Sequence, residues 1–508
     1  MAADGSAETP GRAGGPGGEG SALSPADLAE WQRAADAANA RRYAEALAII
    51  HGLQARNPAD DLLMHSAMRI PHNAHDSERA FRAAWELSLK AHTFPVQHGA
   101  LSQALFWAPF VSYLSPLELG RLGERWAQHL ATAMRNAPLP PPPPRQAGRR
   151  LRIGYLSPAF GFPADYHPLA QHDPAAVETY AYSSGPTRIG AGTVVPKFGR
   201  FRDLFGMLDL AAATIVRNDD IDILVDLGGT GDAQRNGILA YRPARVQVGW
   251  SNKLLPQFPP LVDWVIGDAE LFAPGDFAMP GGARLLALPQ ALCVVAEMSP
   301  APAIVPPPAL AGGPVTIGST ASIYKITDST LRLWSRVLHR LPEAVFSYST
   351  PYMSDLMGNK IRQGFAANGI DPARYRLEVR PHGDFAQAMN NVDMALDSIP
   401  FSSNYSCLQA LRQGVPVIAL AGDRLAGRFS ASLLRTIGHE ELTAPTADGY
   451  VDRAVALAGD LPRLQAYRSA LPQAVGRARL NDMRFTARCL ELAYRQIWEG
   501  YCRQESAG

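Results

Sequence analysis

The stretch GSTASIYKITDSTLRLWSRVL, residues 318–338, joins the end of a strand to a helix through a segment with one lysine. The apolar run VTIGST predicts a buried strand that ends near Ser319. DSTLRLW predicts a helix capped by Asp328 or Ser329. Lys325 therefore falls at the carboxyl edge of a strand, where the amides of the following helix favour an anion. The residues alone leave two interpretations: a solvated loop lysine, or a point charge on a diphosphate.

A second strand–loop–helix unit lies in residues 397–438. A strand ends at Asp397, the small polar loop SSNYS opens a helix, and Gln409 sits one turn inside that helix. The strand VPVIALAG follows, and its loop carries Arg424 and Arg428. Backbone amides of the SSNYS loop would suit phosphate oxygens, and Gln409 would suit a ribose hydroxyl. A generic structural unit without a ligand is the competing interpretation.

Strands and helices alternate on both sides of a Pro/Gly-rich break, which predicts parallel sheets covered on both faces. We predict an N-terminal Rossmann-like lobe at 151–300, a linker at 301–314 and a second Rossmann-like lobe at 315–480. A C-terminal helix and tail fill 481–508. Ligands of such sheets bind beyond the carboxyl ends of the strands. A single doubly wound domain with insertions is the alternative.

The chain before the lobes has three parts. Residues 1–23 are rich in Gly, Ala and Pro, which predicts disorder. Ser24 and Pro25 predict a helix start, and 24–136 predicts an all-α region with one tetratricopeptide-like helix pair. The proline-rich segment 137–150 predicts a stiff, extended linker, with an SH3-type ligand as the alternative.

Composition narrows the class of protein. Lys plus Arg is 48 and Asp plus Glu is 47, so no nucleic-acid partner is expected. The four cysteines form no CxxC pair, which predicts reduced thiols and neither a zinc site nor a disulfide framework. Neither a signal peptide nor an apolar run of about 20 residues is present, so a cytoplasmic protein without a membrane partner is expected. Oligomerisation through the helical region is compatible with the sequence.

The order of motifs between Leu151 and Tyr501 resembles the catalytic region of the protein O-GlcNAc transferases, glycosyltransferase family 41, as a divergent, bacterial-type, SPINDLY-like member. The similar stretches are LRIGYLSPAF, DIDILVDLGGT, RNGILAYRPARVQVGW, LVDWVIGD, IYKITDSTLRLWSRVLHRLP, VDMALDSIPF and LQALRQGVPVIALAGDRLAGRFSASLLRTIGHEELTA.

This resemblance implies a GT-B fold and an inverting, metal-independent transfer from a UDP-sugar to a protein or peptide acceptor. The UDP-sugar is the donor substrate, and no cofactor is implied. Lys325 matches the family's lysine on the donor diphosphate, where it would stabilise charge on the leaving group. Asn404, Tyr405 and Ser406 fall where the family places small hydroxyl residues at the donor phosphates.

The resemblance also implies the nucleoside contacts. Phe385 falls where an aromatic ring, usually histidine, stacks on the uracil. Arg380 and Pro381 fall where backbone groups read the base edge. Gln409 replaces the acidic residue that holds the ribose, and a neutral amide is a weaker acceptor than a carboxylate.

The sequence departs from the family pattern around the sugar and the acceptor. Phe162 replaces the histidine of a His-Pro pair. Gly228-Gly229-Thr230 stands where many bacterial members have Gly-His-Thr, which keeps Thr230 as a candidate donor contact. SNKLLPQF, 251–258, replaces a glycine-rich loop near the donor sugar.

Two nearby residues are candidates for the catalytic base that these changes remove. His167 and Asp165 lie close in sequence to the lost histidine and carry suitable groups for proton transfer. His172 matches a His-Asp pair away from the family's reaction centre, so we expect it to be structural.

This resemblance therefore implies transfer of a sugar, GlcNAc, from a UDP-sugar to Ser or Thr side chains of a protein. The helical region would dock the acceptor. Two alternatives stay open: a catalytically impaired relative that binds nucleotide-sugars or acts as a scaffold, and a transferase with a changed donor or acceptor, such as an Asn N-glucosyltransferase.

Overall fold

The computed structural model describes residues 23–91, 93–134, 139–141, 148–158, 160, 168–185, 198–230, 235–250, 260–272, 283–291, 302–381 and 384–505. Three structural units follow one another along these residues: a helical domain and two parallel sheets.

The helical domain contains α1 (Pro25–Asn39), α2 (Tyr43–Arg56), α3 (Asp61–Asn73), α4 (Ser77–Lys90), α5 (Phe94–Trp107) and α6 (Pro116–Met134). The predicted helix start is confirmed, because Ser24 caps α1 through its side chain and Pro25 is the first helical residue. Each helix from α1 to α6 packs against the next. The stack therefore continues beyond the single helix pair that the sequence predicts.

The first lobe is a seven-stranded sheet in the order β3-β2-β1-β4-β5-β6-β7. Its elements are β1 (Leu151–Ser157), β2 (Val177–Ser183), β3 (Arg200–Asp203), α7 (Asp209–Asn218), β4 (Ile223–Asp226), α8 (Asn236–Ala240), β5 (Val246–Trp250), β6 (Trp264–Asp268) and β7 (Arg284–Leu288). All paired strands are parallel, and β1 aligns Leu151 with Val177 of β2. Six of the seven β1 residues are buried, as expected for a strand covered on both faces.

The second lobe is a six-stranded parallel sheet in the order β10-β9-β8-β11-β12-β13. Its elements are β8 (Thr316–Ser319), α9 (Asp328–Arg340), β9 (Val345–Thr350), α10 (Asp355–Ala367), β10 (Tyr375–Val379), α11 (Phe385–Asn390), β11 (Met394–Leu396), α12 (Tyr405–Arg412), β12 (Val417–Leu420), α13 (Phe429–Thr436), β13 (Thr443–Ala444), α14 (Ala447–Ala458), α15 (Leu461–Arg477) and α16 (Met483–Glu505). The cap of α9 is Thr327, whose hydroxyl accepts from the amide of Thr330, so the prediction of Asp328 or Ser329 is wrong.

The three units share their hydrophobic cores. The C-terminal helix α16 returns to the first lobe, where Tyr494 and Trp498 are buried against β1 and its neighbours. On the other side, one core runs from Trp107 and Trp126 of the helical domain through Leu224 to Phe401 of the second lobe. The helical domain therefore shares a continuous hydrophobic core with both lobes.

Hydrogen bonds reinforce this packing at the first helix pair. The Asp355 carboxylate at the start of α10 accepts from the amides of Tyr43 and Ala44, both at 3.1 Å, and so caps α2.

Within the parts of the chain that the structure describes, every helix is too short or too polar to cross a membrane.

Candidate active site

Lys325 lies in a one-turn 3-10 helix, Ile323–Lys325, between β8 and α9. It is only 7% exposed, and its ammonium donates to the Ser402 carbonyl over 2.8 Å. The ammonium also lies 4.4 Å from the ring centre of Phe401, a cation–π distance. The interpretation of Lys325 as a solvated loop residue is therefore wrong.

The electrostatics of this lysine come from burial and one carboxylate. Burial lowers the pKa of Lys325 to about 8, while Asp397 acts in the opposite direction. Burial also raises the pKa of Asp397, whose Oδ1 accepts from the amides of Ser398 and Ser403 at 2.9 Å. A cation held in such a water-poor position attracts a phosphate more strongly than a surface lysine does.

The loop before α12 is tied to the end of β8. The Thr320 hydroxyl donates to Ser403 Oγ at 3.0 Å, and Ser406 Oγ donates to the Thr320 carbonyl at 2.7 Å. Asn404 precedes α12 without making a side-chain capping bond to it. An anion at this end of α12 would accept hydrogen bonds from the backbone amides that a capping side chain binds in other helices.

Tyr405 and Gln409 both belong to α12, the helix that this loop opens. Tyr405 is its first residue and is exposed, and Gln409 is half-buried one turn further along. The structure therefore places Asn404 at the end of the loop that holds Lys325 through Ser402, and Tyr405 and Ser406 in the first turn of α12. Gln409 lies one helical turn away from that loop.

A second part of the candidate site lies beyond β10. The Arg380 guanidinium is 5.3 Å from the ring centre of Phe385 and is 3.4 Å from the carbonyls of Ser349 and Pro381. Burial lowers the pKa of Arg380. Tyr348 on the neighbouring strand β9 donates to the Ala321 carbonyl at 3.0 Å, on the segment that leads to Lys325. Because the strands are parallel, Arg380, Phe385 and Lys325 share one edge of the sheet.

Thr230 lies in the first lobe, just after β4. The turn before it is set by Asp226, whose carboxylate accepts from the amides of Gly228 and Gly229, and by the positive φ of 58° at Gly229. Thr230 is buried, and among the described residues its hydroxyl has no hydrogen-bond partner. A bound ligand could supply the hydrogen-bond partner that this buried hydroxyl lacks.

Neither candidate base predicted from the sequence falls within the described residues. His167, Asp165, Phe162 and the 251–258 segment lie outside the described residues. His172 is structural as expected: its ring nitrogens lie 2.7 Å from the Tyr155 hydroxyl and 2.8 Å from Glu491 Oε1 on α16.

The two lobes contact each other at the carboxyl edge of the first sheet. Asp268 at the end of β6 accepts from Ser432 Oγ of α13 at 2.8 Å, and Glu270 pairs with Arg435 at the same distance. Burial raises the pKa of Asp268. The carboxyl edge of the first sheet therefore faces the second lobe, as a ligand cleft between lobes requires.

Sequence reasoning missed the residues that surround Lys325. Asp397 was recognised only as a strand end, although a carboxylate at that place is itself a signal of a polar site. Phe401 and Phe110 gave no signal, because the stacking of their rings, with centres 4.5 Å apart, joins positions far apart in the chain. Arg424, noted only as a loop arginine, is buried and donates to the carbonyls of Val111 and Leu114 of the helical domain.

Two parallel Rossmann-like lobes whose carboxyl edges face each other are the arrangement of the GT-B fold. The match to known proteins is more specific. The family model of glycosyl transferase family 41 matches residues 133–292 and 313–490, and the chain belongs to this family.

Curated relatives include the probable UDP-N-acetylglucosamine--peptide N-acetylglucosaminyltransferase SPINDLY of Oryza sativa subsp. japonica. It is 32% identical over 71% of this chain and 40% of the relative. The SEC protein of Arabidopsis thaliana, described by the same activity, is 25% identical over 77% of this chain and 42% of the relative. The chain thus spans about two fifths of the length of these relatives.

A solved structure covers nearly the whole chain. A lysine-to-methionine mutant of Thermobaculum terrenum O-GlcNAc transferase superposes with a TM-score of 0.80 and 28% identity. The alignment covers 94% of this chain and 92% of that protein, so it includes the helical domain as well as both lobes.

Proposed function

We propose that this protein transfers a sugar, GlcNAc, from a UDP-sugar to Ser or Thr side chains of an acceptor protein. The observation that carries the proposal is the buried ammonium of Lys325, fixed on the Ser402 carbonyl at the edge where a family 41 donor diphosphate would lie. The names of the rice and Arabidopsis relatives support a UDP-N-acetylglucosamine donor and a peptide acceptor, and the name of the Thermobaculum protein supports O-linked GlcNAc.

The proposed reaction is a single displacement. The acceptor hydroxyl oxygen attacks the anomeric carbon, the bond from that carbon to the β-phosphate oxygen breaks, and its electron pair leaves with UDP. Lys325 and the α12 amides stabilise the charge that grows on the leaving diphosphate. The acceptor proton passes to a base, for which His167 and Asp165 are the candidates from sequence.

The nucleoside half of the donor would lie along β10 and α11. Phe385 would stack on uracil, Arg380 and Pro381 would read the base edge, and Gln409 would reach the ribose. The Arg380 guanidinium lies over one face of the Phe385 ring, 5.3 Å from its centre. Uracil would therefore stack on the opposite face of Phe385 or displace the guanidinium. Thr230 would contact the donor from the first lobe.

The remaining parts of the proposal concern conditions and partners. The reaction would need neither metal nor cofactor, because Lys325 supplies the positive charge that a metal gives in other transferases. We propose a reducing, cytoplasmic setting, because the four cysteines of the sequence form no CxxC pair and are expected to be reduced thiols. The helical domain would dock the acceptor and offers a surface for oligomerisation.

Calorimetry with UDP tests the nucleotide site. We expect binding by the wild type, at least tenfold weaker binding by Lys325→Ala, and no change for Lys90→Ala, whose lysine pairs with Glu86 on the surface of α4. Unmeasurable binding at millimolar UDP would contradict the proposal.

Turnover is tested separately with UDP-GlcNAc and UDP-glucose in the presence of EDTA, followed by mass spectrometry of co-expressed proteins. Sugar on Ser or Thr is the expected result. Sugar on Asn would identify an N-glycosyltransferase. UDP binding without hydrolysis or transfer would identify a nucleotide-sugar-binding relative, which the loss of the family histidines favours as the second candidate.

A further inference from the structure

An aromatic side chain of the helical domain reaches the donor-site lysine. Phe110 ends a short 3-10 helix, Ala108–Phe110, that continues α5, and it is almost fully buried. Its ring stacks on Phe401 of the second lobe, with 4.5 Å between ring centres and an interplanar angle of 10°. It also meets Tyr324 edge-on at 5.3 Å and 84°.

Both of these contacts lead directly to Lys325. Phe401 carries the Lys325 ammonium 4.4 Å from its ring centre, and Tyr324 precedes Lys325 in the chain. Phe110 thus contacts both Phe401, whose ring binds the Lys325 ammonium, and Tyr324, the residue before Lys325 in the chain.

We propose that Phe110 is a positioning residue for Lys325, acting through Phe401 and Tyr324, so that the helical domain fixes the geometry of the diphosphate site. This inference rests on the proposed function, since it assigns the lysine its role at UDP.

The physical reason is the freedom of a lysine side chain. A four-carbon stem has several rotamers, and a cation–π contact selects one of them only while the ring itself cannot tilt. Phe429 contacts Phe401 at 5.7 Å, and Phe110 supplies the parallel, closer packing. Loss of the Phe110 ring leaves space into which Phe401 relaxes, away from the ammonium.

The position of Phe110 is itself fixed by the second lobe. Arg424 is buried and donates to the carbonyls of Val111 and Leu114, immediately after Phe110 in the chain, at 3.0 and 2.7 Å. The helical segment and the donor loop are therefore held together by a hydrogen-bonded anchor as well as by ring packing.

Among the described residues, two titratable groups act on the ammonium of Lys325. Asp397 after β11 and Cys407 on α12 act on Lys325 electrostatically, and the groups it contacts on the donor loop, the Ser402 carbonyl and the Phe401 ring, are uncharged. Phe110 contributes no charge. A change at Phe110 thus alters the ring contact without changing the charges that act on Lys325.

The test measures the ionisation of Lys325 in the full-length protein. Acetylation by acetic anhydride is followed at pH 7 to 10 by mass spectrometry of the Lys325 peptide. We expect Phe110→Leu to move the midpoint of Lys325 labelling down by about half a pH unit or more, because a weakened cation–π contact destabilises the charged form. Phe110→Met, which keeps most of the volume, serves if the leucine variant fails to fold.

UDP binding gives the functional readout. At pH 9 the Phe110 variants should bind UDP about threefold more weakly or worse, since half a pH unit changes the charged fraction by about that factor above the pKa. Phe81→Leu is the matched control: Phe81 is buried in the same core and packs on Tyr113. It should lose stability while leaving the labelling midpoint and UDP affinity unchanged.

An unchanged midpoint in the Phe110 variants, or an equal shift in Phe81→Leu, overturns the inference. The labelling needs no nucleotide, so it decides the role of Phe110 separately. Failure of the wild type to bind UDP would instead overturn the proposed function.

Discussion

The ammonium of Lys325 donates to the backbone carbonyl of Ser402 over 2.8 Å. These residues belong to two different strand–loop–helix units, one after β8 and one after β11. The bond joins the units at the point where parallel strands end and where a helix start favours an anion. The bond thereby holds a buried positive charge at the position where it would bind a diphosphate.

Replacing Lys325 by methionine should stabilise the fold and abolish the donor site at once. Burial holds the folded-state pKa of Lys325 near 8, against an ordinary value of 10.5, so the charged lysine destabilises the protein at pH 7. We expect Lys325→Met to raise the free energy of unfolding at pH 7 by up to about 3 kcal/mol. Urea unfolding measures this change, and UDP calorimetry measures the loss of binding.

The same variant has a defined pH dependence. Between pH 8 and 10.5 the unfolded wild type binds more protons than the folded protein, so its stability rises with pH relative to the methionine variant. The difference between the two should shrink across this window. A difference that stays constant from pH 7 to 10 would show that the lysine is not held at a lowered pKa.

The Asp397→Asn variant should weaken UDP binding through Lys325. The asparagine oxygen can keep both bonds that Oδ1 accepts from Ser398 and Ser403, so the change removes mainly the charge. Without that carboxylate the pKa of Lys325 falls further. We expect the pH above which UDP binding is lost to move down by about half a unit or more, as measured by calorimetry across pH 7 to 10.

Asp393→Asn provides the control for this change. Asp393 precedes the same strand, is also buried, and accepts from the amides of Ala309 and Thr316 at the opposite end of β11. Its substitution should leave the pH profile of UDP binding unchanged. A shift of equal size in both variants would contradict a specific effect of Asp397.

Removal of the Arg424 side chain should loosen the helical domain from the second lobe. Arg424→Ala leaves the buried carbonyl of Val111 and the partly buried carbonyl of Leu114 without these donors. We expect a loss of about 2–4 kcal/mol in thermal or urea unfolding. Arg435→Ala, which breaks an exposed pair with Glu270, should cost no more than about 1 kcal/mol, and an equal loss would argue against the anchor.

Asp355 should control the order of the first helix pair. Its carboxylate accepts from the amides of Tyr43 and Ala44, so Asp355→Ala removes the cap of α2 at a cost of about 1 kcal/mol. Hydrogen exchange by mass spectrometry should show faster exchange at the start of α2. Asp448→Ala, in the first turn of α14 and paired on the surface with Arg336, should leave α2 unchanged.

The local sequence was sufficient for the alternation of strands and helices on both sides of the linker, although it did not predict β3, β7 and β13. Buried strands covered on both faces read as continuous apolar runs, and the start of α1 carried Ser24 and Pro25. The cap of α9 was predicted one or two residues too late, at Asp328 or Ser329. Threonine, aspartate and serine all suit a cap, and only the backbone geometry decided for Thr327.

The sequence by itself determined a family 41 chain with two parallel lobes and a lysine at the carboxyl edge of one strand. Adjacent residues encode these features through apolar runs and strand–loop–helix punctuation. Only the tertiary structure decided that Lys325 is buried, that Asp397 and Phe401 surround it, and that Phe110 of the helical domain stacks behind it. These facts depend on long-range packing between segments whose local patterns carry no information about which partner they meet.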